Sequence, residues 1–262
     1  MRELFELPEG LSHPDPTRRA QIQMKRPLPK RFYTNVSVDQ GDDGYAIHLD
    51  GRPVRTPAKS PLVAPTAALA ELMRAEWDGQ VEHIDPGTMP VTKLVNTAID
   101  GVAIDPQAVF EDILRFSSSD LLCYRADGPE ELVARQSERW DPLIDWAAND
   151  LGARFILIEG IMPQDQPREA IAAFAVTLRK YDTPIELACL HTVTTLTGSA
   201  ILALAFAEDR LSADEAWSLA HLDEDWTDEH WGVDTEAQQR RAKRQDELQA
   251  SAAAFLSLRP AV

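Results

Sequence analysis

The chain has 262 residues, of which 44% are hydrophobic and 26% are charged, a composition typical of folded globular proteins and unlike that of disordered ones. Its formal net charge of -17 repels phosphate backbones and anionic lipid. The composition therefore argues against nucleic acid and membrane surfaces as partners and against membrane insertion. It suits a soluble protein that must stay apart from its own copies, or one that meets a basic surface.

The first 24 residues combine acidic side chains with prolines at positions 8, 14 and 16 and show no sustained hydrophobic period. We predict a flexible arm at 1–24. A secretory signal would carry an uninterrupted apolar stretch, and a mitochondrial presequence avoids acidic residues, so this segment matches neither. The expected location is therefore the cytoplasm of a bacterial cell, with the mitochondrial matrix expected only for eukaryotic relatives.

Residues 25–90 predict a small β-rich domain with one helix. Strand-like segments at 32–38 and 45–49 are separated by a polar turn. The dipeptide Asp50-Gly51 is a hairpin signal, and a third short strand follows at 52–57. These segments predict an antiparallel meander.

Helical patterns dominate the rest of the chain. The first helix is predicted to begin after Thr66, a good N-cap, and to end at Asp78-Gly79. Residues 91–262 predict a larger α-helical domain, apart from a β-branched strand or edge segment at 155–161. Its helices are predicted at about 91–99, 130–149, 167–181, 184–207, 212–223 and 235–258. The predicted fold class is α+β, with the β-rich part first and the helical part second.

The segment 187–207 contains no Asp, Glu, Lys or Arg over about the length of one bilayer crossing. Its Thr, Ser and His side chains dilute the hydrophobicity, and its flanks carry no basic anchor bias. We therefore predict a central helix buried in a soluble protein, with hydroxyls bonded back to helix carbonyls. Cys123 and Cys189 lie in apolar runs and are predicted to be buried, unreactive thiols.

Common catalytic signatures do not occur in the sequence. It has no glycine-rich phosphate loop, no G-x-S-x-G and no C-x-x-C, so no cofactor is predicted. One segment, 221–230, offers His221, Asp223, Glu224 and His230 as candidate ligands for a divalent metal. Its spacing matches no established ligand pattern, so a metal-dependent enzyme is only the alternative interpretation and no metal site is predicted.

Three tryptophans, Trp217, Trp226 and Trp231, fall in the most acidic part of the chain. Between residues 201 and 236 eleven acids accompany a single base. Tryptophan is over-represented at interaction hot spots, and surrounding carboxylates steer basic partners. Trp217 and Trp226 would equally well fill the helical core, whereas Trp231 is expected to be exposed. The segment therefore predicts a protein interaction surface.

A collinear set of strings resembles the ATP synthase assembly factors that chaperone the alpha subunit of the catalytic head. The strings are KRFY at 30–33, VSV at 36–38, YAIHLDGRPVRTP at 45–57, AEWD at 75–78, PVTKLVNTAID at 90–100, SDLLCYR at 119–125, WDPL at 140–143, EHWGVD at 229–234 and EA at 236–237. None of them is a catalytic motif, so the specificity of the resemblance lies in their order over roughly residues 28–250.

The resemblance implies a non-enzymatic chaperone that binds the unassembled alpha subunit of the F-type ATP synthase. We place the partner-binding surface on the acidic tryptophan segment, and the basic stretch at 25–31 is either a solvated entry to the first strand or a second contact. The residues expected to bind the subunit are Glu224, Trp226, Glu229, Trp231 and Glu236, with Arg31 and Tyr33 as outlying members. A generic protein-interaction adaptor is the other alternative.

Overall fold

The computed structural model describes residues 27–160, 162 and 164–260, so the predicted arm at 1–24 lies outside the described residues. The chain divides between Asn96 and Thr97 into two compact units. The first contains a sheet and the second is mainly helical, which confirms the predicted α+β class. The division falls inside a helix that begins at Pro90, and the domain boundaries drawn from the sequence stay a prediction.

The sheet of the first unit is an antiparallel meander. Strand β1 (Val36–Gly41) pairs with β2 (Gly44–Leu49), and β2 pairs with β3 (Arg52–Pro53) and with β4 (Val63–Ala64). Asp50 and Gly51 connect β2 to β3 with φ angles of 48° and 77°, the two left-handed residues that a tight hairpin turn requires. β1 starts at Val36, later than the predicted Phe32.

Helix α1 (Ala67–Asp78) covers this sheet and has the predicted ends. The Thr66 hydroxyl accepts a hydrogen bond from the Leu69 N–H at 3.2 Å, and the Gly79 N–H donates to the Ala75 carbonyl at 2.9 Å. Leu69 and Met73 are fully buried. The apolar stripe of the helix therefore packs on β1 and β2 and forms the core of the unit.

The side chain of Glu76 caps the next helix, α2 (Pro90–Thr97), which continues as a π-helical turn at Ala98–Val102. Its two carboxylate oxygens accept the N–H groups of Val91 at 2.7 Å and Thr92 at 2.8 Å. Burial raises the pKa of Glu76, and the Thr92 and Val91 donors oppose the shift. The carboxylate thus satisfies first-turn donors that have no partner within α2.

We expect Glu76→Ala to lower the free energy of unfolding by about 2 kcal/mol, since two partly buried N–H groups lose their acceptor. The matched control is Glu71→Ala on the same helix, because Glu71 is exposed and pairs with Arg74 on the surface. Such a pair contributes at most about 1 kcal/mol. Urea unfolding of the two variants checks the prediction, and equal stability losses would contradict it.

The second unit is built from helices with one small parallel sheet. Its helices are α3 (Pro106–Ser117), α4 (Glu130–Asn149), α5 (Arg168–Leu178), α6 (Pro184–Thr197), α7 (Ala200–Ala207), α8 (Ala213–Ala220), α9 (Leu222–Trp231) and α10 (Thr235–Leu256). Its strands are β5 (Tyr124–Arg125) and β6 (Ile158–Glu159). α6 lies at the centre and packs against α3, α7 and α10.

Most of the apolar segment 187–207 is buried as predicted, although Thr195 is exposed, and the segment is two helices and not one. Gly198 takes a left-handed conformation with φ of 69° and ends α6, and the Ser199 hydroxyl then caps α7. Every residue of α7 is buried. The hydroxyl of Thr192 donates to the Ala188 carbonyl at 2.8 Å, as expected for a helical threonine. No helix in the described part of the chain is long and apolar enough to cross a membrane.

Two other predictions about the helical unit were wrong in part. The strand predicted at 155–161 is reduced to Ile158–Glu159, because the Gln166 side chain bonds both the N–H and the carbonyl of Ile156 in place of a neighbouring strand. The helix predicted at 212–223 ends at Ala220, and α9 follows it directly. Both cysteines are buried as predicted, and burial raises the pKa of the Cys189 thiol to about 12.

Candidate functional site

An aromatic cluster lies at the end of α9. Trp226 is 8% exposed and stacks on His230, with ring centroids 4.1 Å apart. The Nδ1–H of His230 donates to the Trp226 carbonyl at 2.7 Å, which holds the imidazole in this position. Trp231 packs edge-on against Trp226 at 5.2 Å and is 72% exposed. The sequence left the position of Trp226 open, and the structure places its ring inside and that of Trp231 outside.

Trp231 is the last residue of α9. It is followed by Gly232, whose φ of 89° ends the helix. The helix α9 was not predicted from the sequence, whereas the predicted exposure of Trp231 is confirmed. Trp217, in α8, is buried and packs against His221 at 3.8 Å. Of the three tryptophans in the acidic segment, only Trp231 is therefore presented to solvent.

Several carboxylates of this region are neutralised by basic side chains of neighbouring helices. Both oxygens of Glu229 accept hydrogen bonds from Arg135 of α4, each at 2.8 Å. This pairing, chiefly through its hydrogen bonds, lowers the pKa of Glu229. Asp225 pairs with Arg241 of α10 at 2.5 Å. The counter-charges of these two acids thus come from α4 and α10, outside the acidic segment.

Two further acids of the region, Asp223 and Glu236, have partners within the chain. Asp223 accepts a hydrogen bond from the Gln136 side chain at 2.8 Å. Glu236 lies in the first turn of α10 and pairs with Arg240 at 2.6 Å, on a helix whose first three turns are almost fully exposed. Glu224 is exposed. Of the acids predicted to bind a partner, Glu229 and Glu236 are thus already paired within the chain.

The two outlying predicted residues, Arg31 and Tyr33, belong to the first unit. The Arg31 guanidinium donates to the carbonyls of Tyr33 at 3.0 Å, Asp78 at 3.0 Å and Gln80. Tyr33 is 5% exposed, and its hydroxyl donates to the Trp77 carbonyl at 2.6 Å. These contacts tie the chain before β1 to the end of α1, and a partner-binding role for either residue stays a prediction.

The family of the chain follows from comparison with known proteins. The family model described as ATP12 chaperone protein matches residues 30–148. The crystal structure of Atp12 from Paracoccus denitrificans is 40% identical, covers 88% of this chain and 99% of that one, and superimposes with a TM-score of 0.82. The chain belongs to the ATP12 chaperone family. The resemblance found in the sequence strings is therefore confirmed.

Other members extend the likeness. Atu1473 from Agrobacterium tumefaciens, described as a candidate chaperone, is 67% identical, covers 96% of this chain and 94% of its own, and has a TM-score of 0.87. The mitochondrial protein atp12 of Schizosaccharomyces pombe is 24% identical over 229 residues, which are 82% of this chain and 77% of that protein. Membership of the ATP12 family assigns the protein a chaperone role in ATP synthase assembly.

The histidines of the acidic segment do not converge on a common point. The Nδ1–H groups of His221 and His230 each donate to a carbonyl four residues earlier in the chain, at 2.9 Å and 2.7 Å. Over residues 27–160, 162 and 164–260, no group of three or more His, Cys, Asp and Glu side chains is placed to hold a metal ion. The arrangement instead offers this ATP12 member an exposed indole among carboxylates.

Sequence reasoning missed the basic partners of the acidic segment. Arg135 is separated from Glu229 by 94 positions, and no local pattern links the two. The one available signal was compositional: eleven acids between residues 201 and 236 accompany a single base, so further counter-charges had to come from other parts of the chain. Their pairing depends on which helix faces lie side by side, which the sequence alone does not state.

Proposed function

We propose that this ATP12 family member binds the unassembled alpha subunit of the F-type ATP synthase and keeps it from aggregating until the catalytic head is assembled. The observation that carries the proposal is the exposed indole of Trp231, fixed among carboxylates on a chain of this chaperone family. A tryptophan with 72% of its surface in water is a strong candidate for contact with another protein.

The chemistry of the task needs no reacting group. An unassembled subunit exposes the surfaces that later contact its neighbours, and exposed apolar surface promotes aggregation. A chaperone has only to cover such a surface with lower affinity than the final assembly has and then to leave by exchange. We therefore propose a non-enzymatic protein that acts where the subunit is made, the bacterial cytoplasm.

The proposed contact surface keeps the residues expected from the sequence, which are Glu224, Trp226, Glu229, Trp231 and Glu236, with Arg31 and Tyr33 as outlying members. Their expected contributions differ. Trp231 and Glu224 are exposed and available for direct contact. Trp226 is buried and would act by holding Trp231 in place. Glu229 would contribute only after its pairing with Arg135 is exchanged for a pairing with the client.

Co-purification tests the proposal. The tagged protein is co-expressed with the free alpha subunit, or with the free beta subunit, from the same cell. We expect retention of alpha and not of beta, because a family-specific chaperone distinguishes its client from a subunit of related shape. Retention of neither subunit would overturn the proposal. Equal protection of alpha and of unrelated aggregating proteins, followed by light scattering, would favour a generic adaptor instead.

A further inference from the structure

Three residues of α9 form one outward stripe. Glu224, Asp228 and Trp231 are spaced by four and then three positions, which places them above one another on the same helix face. Glu224 and Trp231 are exposed, and Asp228 is half-buried. We call these three residues the outer stripe. The opposite face of the helix carries Leu222 and Trp226, which pack into the unit.

The acids of the outer stripe differ from Asp225 and Glu229, the two acids of α9 that pair with an arginine. Asp225 and Glu229 lie on the flank of α9 and pair with Arg241 and Arg135. Among the residues that the structure describes, neither Glu224 nor Asp228 forms an ion pair with a lysine or arginine. The charges of Glu224 and Asp228 are therefore not neutralised by an ion pair with a described lysine or arginine and are available to a partner.

The indole of the outer stripe is held in one orientation. Trp231 meets the buried Trp226 edge-on at 5.2 Å with an angle of 71° between the rings, and Trp226 is itself stacked on His230. This support leaves most of the Trp231 surface free while limiting its motion. A preoriented aromatic side chain loses little conformational entropy on binding, which favours its use as an anchor.

We propose that the outer stripe binds an arginine-bearing apolar segment of the client, with the guanidinium stacked on Trp231 and paired with Asp228, and Glu224 meeting a second cation one turn away. The inference rests on the proposed function, whose client it describes. Guanidinium is the cation that both stacks on an aromatic face and pairs in a planar manner with a carboxylate. An ammonium group is more strongly hydrated and suits this combination less well.

Two substitutions of Trp231 separate cation stacking from apolar contact. Affinity for the free alpha subunit is measured with Trp231→Phe and Trp231→Leu. We expect Leu to weaken binding about tenfold or more and Phe clearly less, because the phenyl ring keeps a π face while leucine keeps only apolar area. A loss with Phe that equals or exceeds the loss with Leu would overturn the stacked cation.

Charge is tested with a matched pair of double variants. Glu224→Gln with Asp228→Asn is expected to weaken binding about tenfold and to flatten its dependence on salt, since two attractions that salt screens are removed. The control, Glu138→Gln with Glu159→Gln, removes the same charge from exposed acids of α4 and β6 and is expected to bind like the original protein. Equal losses of affinity in the two double variants would mean that only the net charge of the protein matters, and would overturn the proposal.

Binding of the original protein and of its variants distinguishes a failure of the proposed function from a failure of the outer stripe. If the original protein does not retain the alpha subunit at all, the proposed function and the stripe fall together. If it retains the subunit and both the Trp231→Leu variant and the Glu224→Gln, Asp228→Asn variant retain it equally well, only the stripe is overturned. Circular dichroism of each variant confirms that the helices are intact, which is expected because all three positions face solvent or are half-buried.

Discussion

Replacing Asp120 by alanine is expected to lower the free energy of unfolding by about 3 kcal/mol at pH 7, because several buried donors lose their only acceptor. Asp120 lies shortly after α3 and is fully buried, and its side chain contacts the start of α7. One carboxylate oxygen accepts the Ser199 hydroxyl at 2.6 Å and the Leu122 N–H at 3.1 Å, and the other accepts the Ile201 N–H at 3.0 Å. The side chain thus ties the turn after α3 to the beginning of the most buried helix.

The pH dependence of this loss has a defined sign. Burial raises the pKa of Asp120 to about 6, against the opposing effect of the Ser199 and Ile201 hydrogen bonds. The pKa of Asp120 is thus higher in the folded state than in the unfolded state, so protonation of Asp120 stabilises the fold. This stabilisation is fully present below the unfolded pKa and is lost as the pH rises through about 6. The deficit of the Asp120→Ala variant is therefore expected to be about 1 kcal/mol larger at pH 5 than at pH 7.

Urea unfolding at the two pH values measures both quantities. The control is Asp182→Ala, which removes an exposed aspartate and is expected to change stability by no more than about 0.5 kcal/mol at either pH. A deficit for Asp120→Ala that does not exceed this control would contradict the capping role. A deficit that shrinks on acidification would contradict the raised pKa.

Replacing Trp140 by alanine is expected to lower the free energy of unfolding by about 4 kcal/mol, the usual loss when a large buried side chain is truncated and a cavity is left. Trp140 is 1% exposed in α4. Its indole N–H donates to the Leu219 carbonyl of α8 at 3.0 Å, and the Arg125 guanidinium lies 5.4 Å from the ring centre. The substitution removes the apolar contacts of the ring and leaves a buried carbonyl without its donor.

Two further variants separate these contributions. Trp140→Phe keeps an aromatic ring but loses the indole N–H, so we expect an intermediate loss of about 2 kcal/mol. Trp231→Ala makes the same change as Trp140→Ala at a position that is 72% exposed, and its expected loss is below about 0.5 kcal/mol. Thermal and urea unfolding measure all three. Similar losses for Trp140→Ala and Trp231→Ala would contradict the burial described for the two rings.

The features of the fold that the sequence predicted well are local ones. The turn at Asp50-Gly51 and the helix between Thr66 and Gly79 were predicted because each depends on the conformational preference of one or two residues. The burial of the segment 187–207 was predicted because it has no charged side chain. Its division at Gly198 was not predicted. A single glycine within an apolar helical segment does not reveal that Asp120, distant in the sequence, accepts an N–H group at the start of the next helix.

The candidate site shows the same division between local and distant information. The clustering of tryptophans and acids between residues 201 and 236 was visible in the sequence and pointed to an interaction surface. The exposure of Trp226 could not be predicted, because its helix was not predicted and the direction of its side chain was therefore unknown. Asp228, which completes the outer stripe, was not singled out, since the helical spacing that joins it to Glu224 and Trp231 appears only once α9 is defined.

By itself the sequence determined the α+β class, the family and the acidic character of the proposed surface, since all three depend on residue types and their order along the chain. The tertiary structure alone decided which carboxylates form ion pairs or hydrogen bonds within the chain and which are exposed to solvent. Arg135 reaches Glu229 and Asp120 reaches Ser199 across 94 and 79 positions. Such pairings depend on how helices pack, and packing is set by the whole apolar core and not by any local pattern.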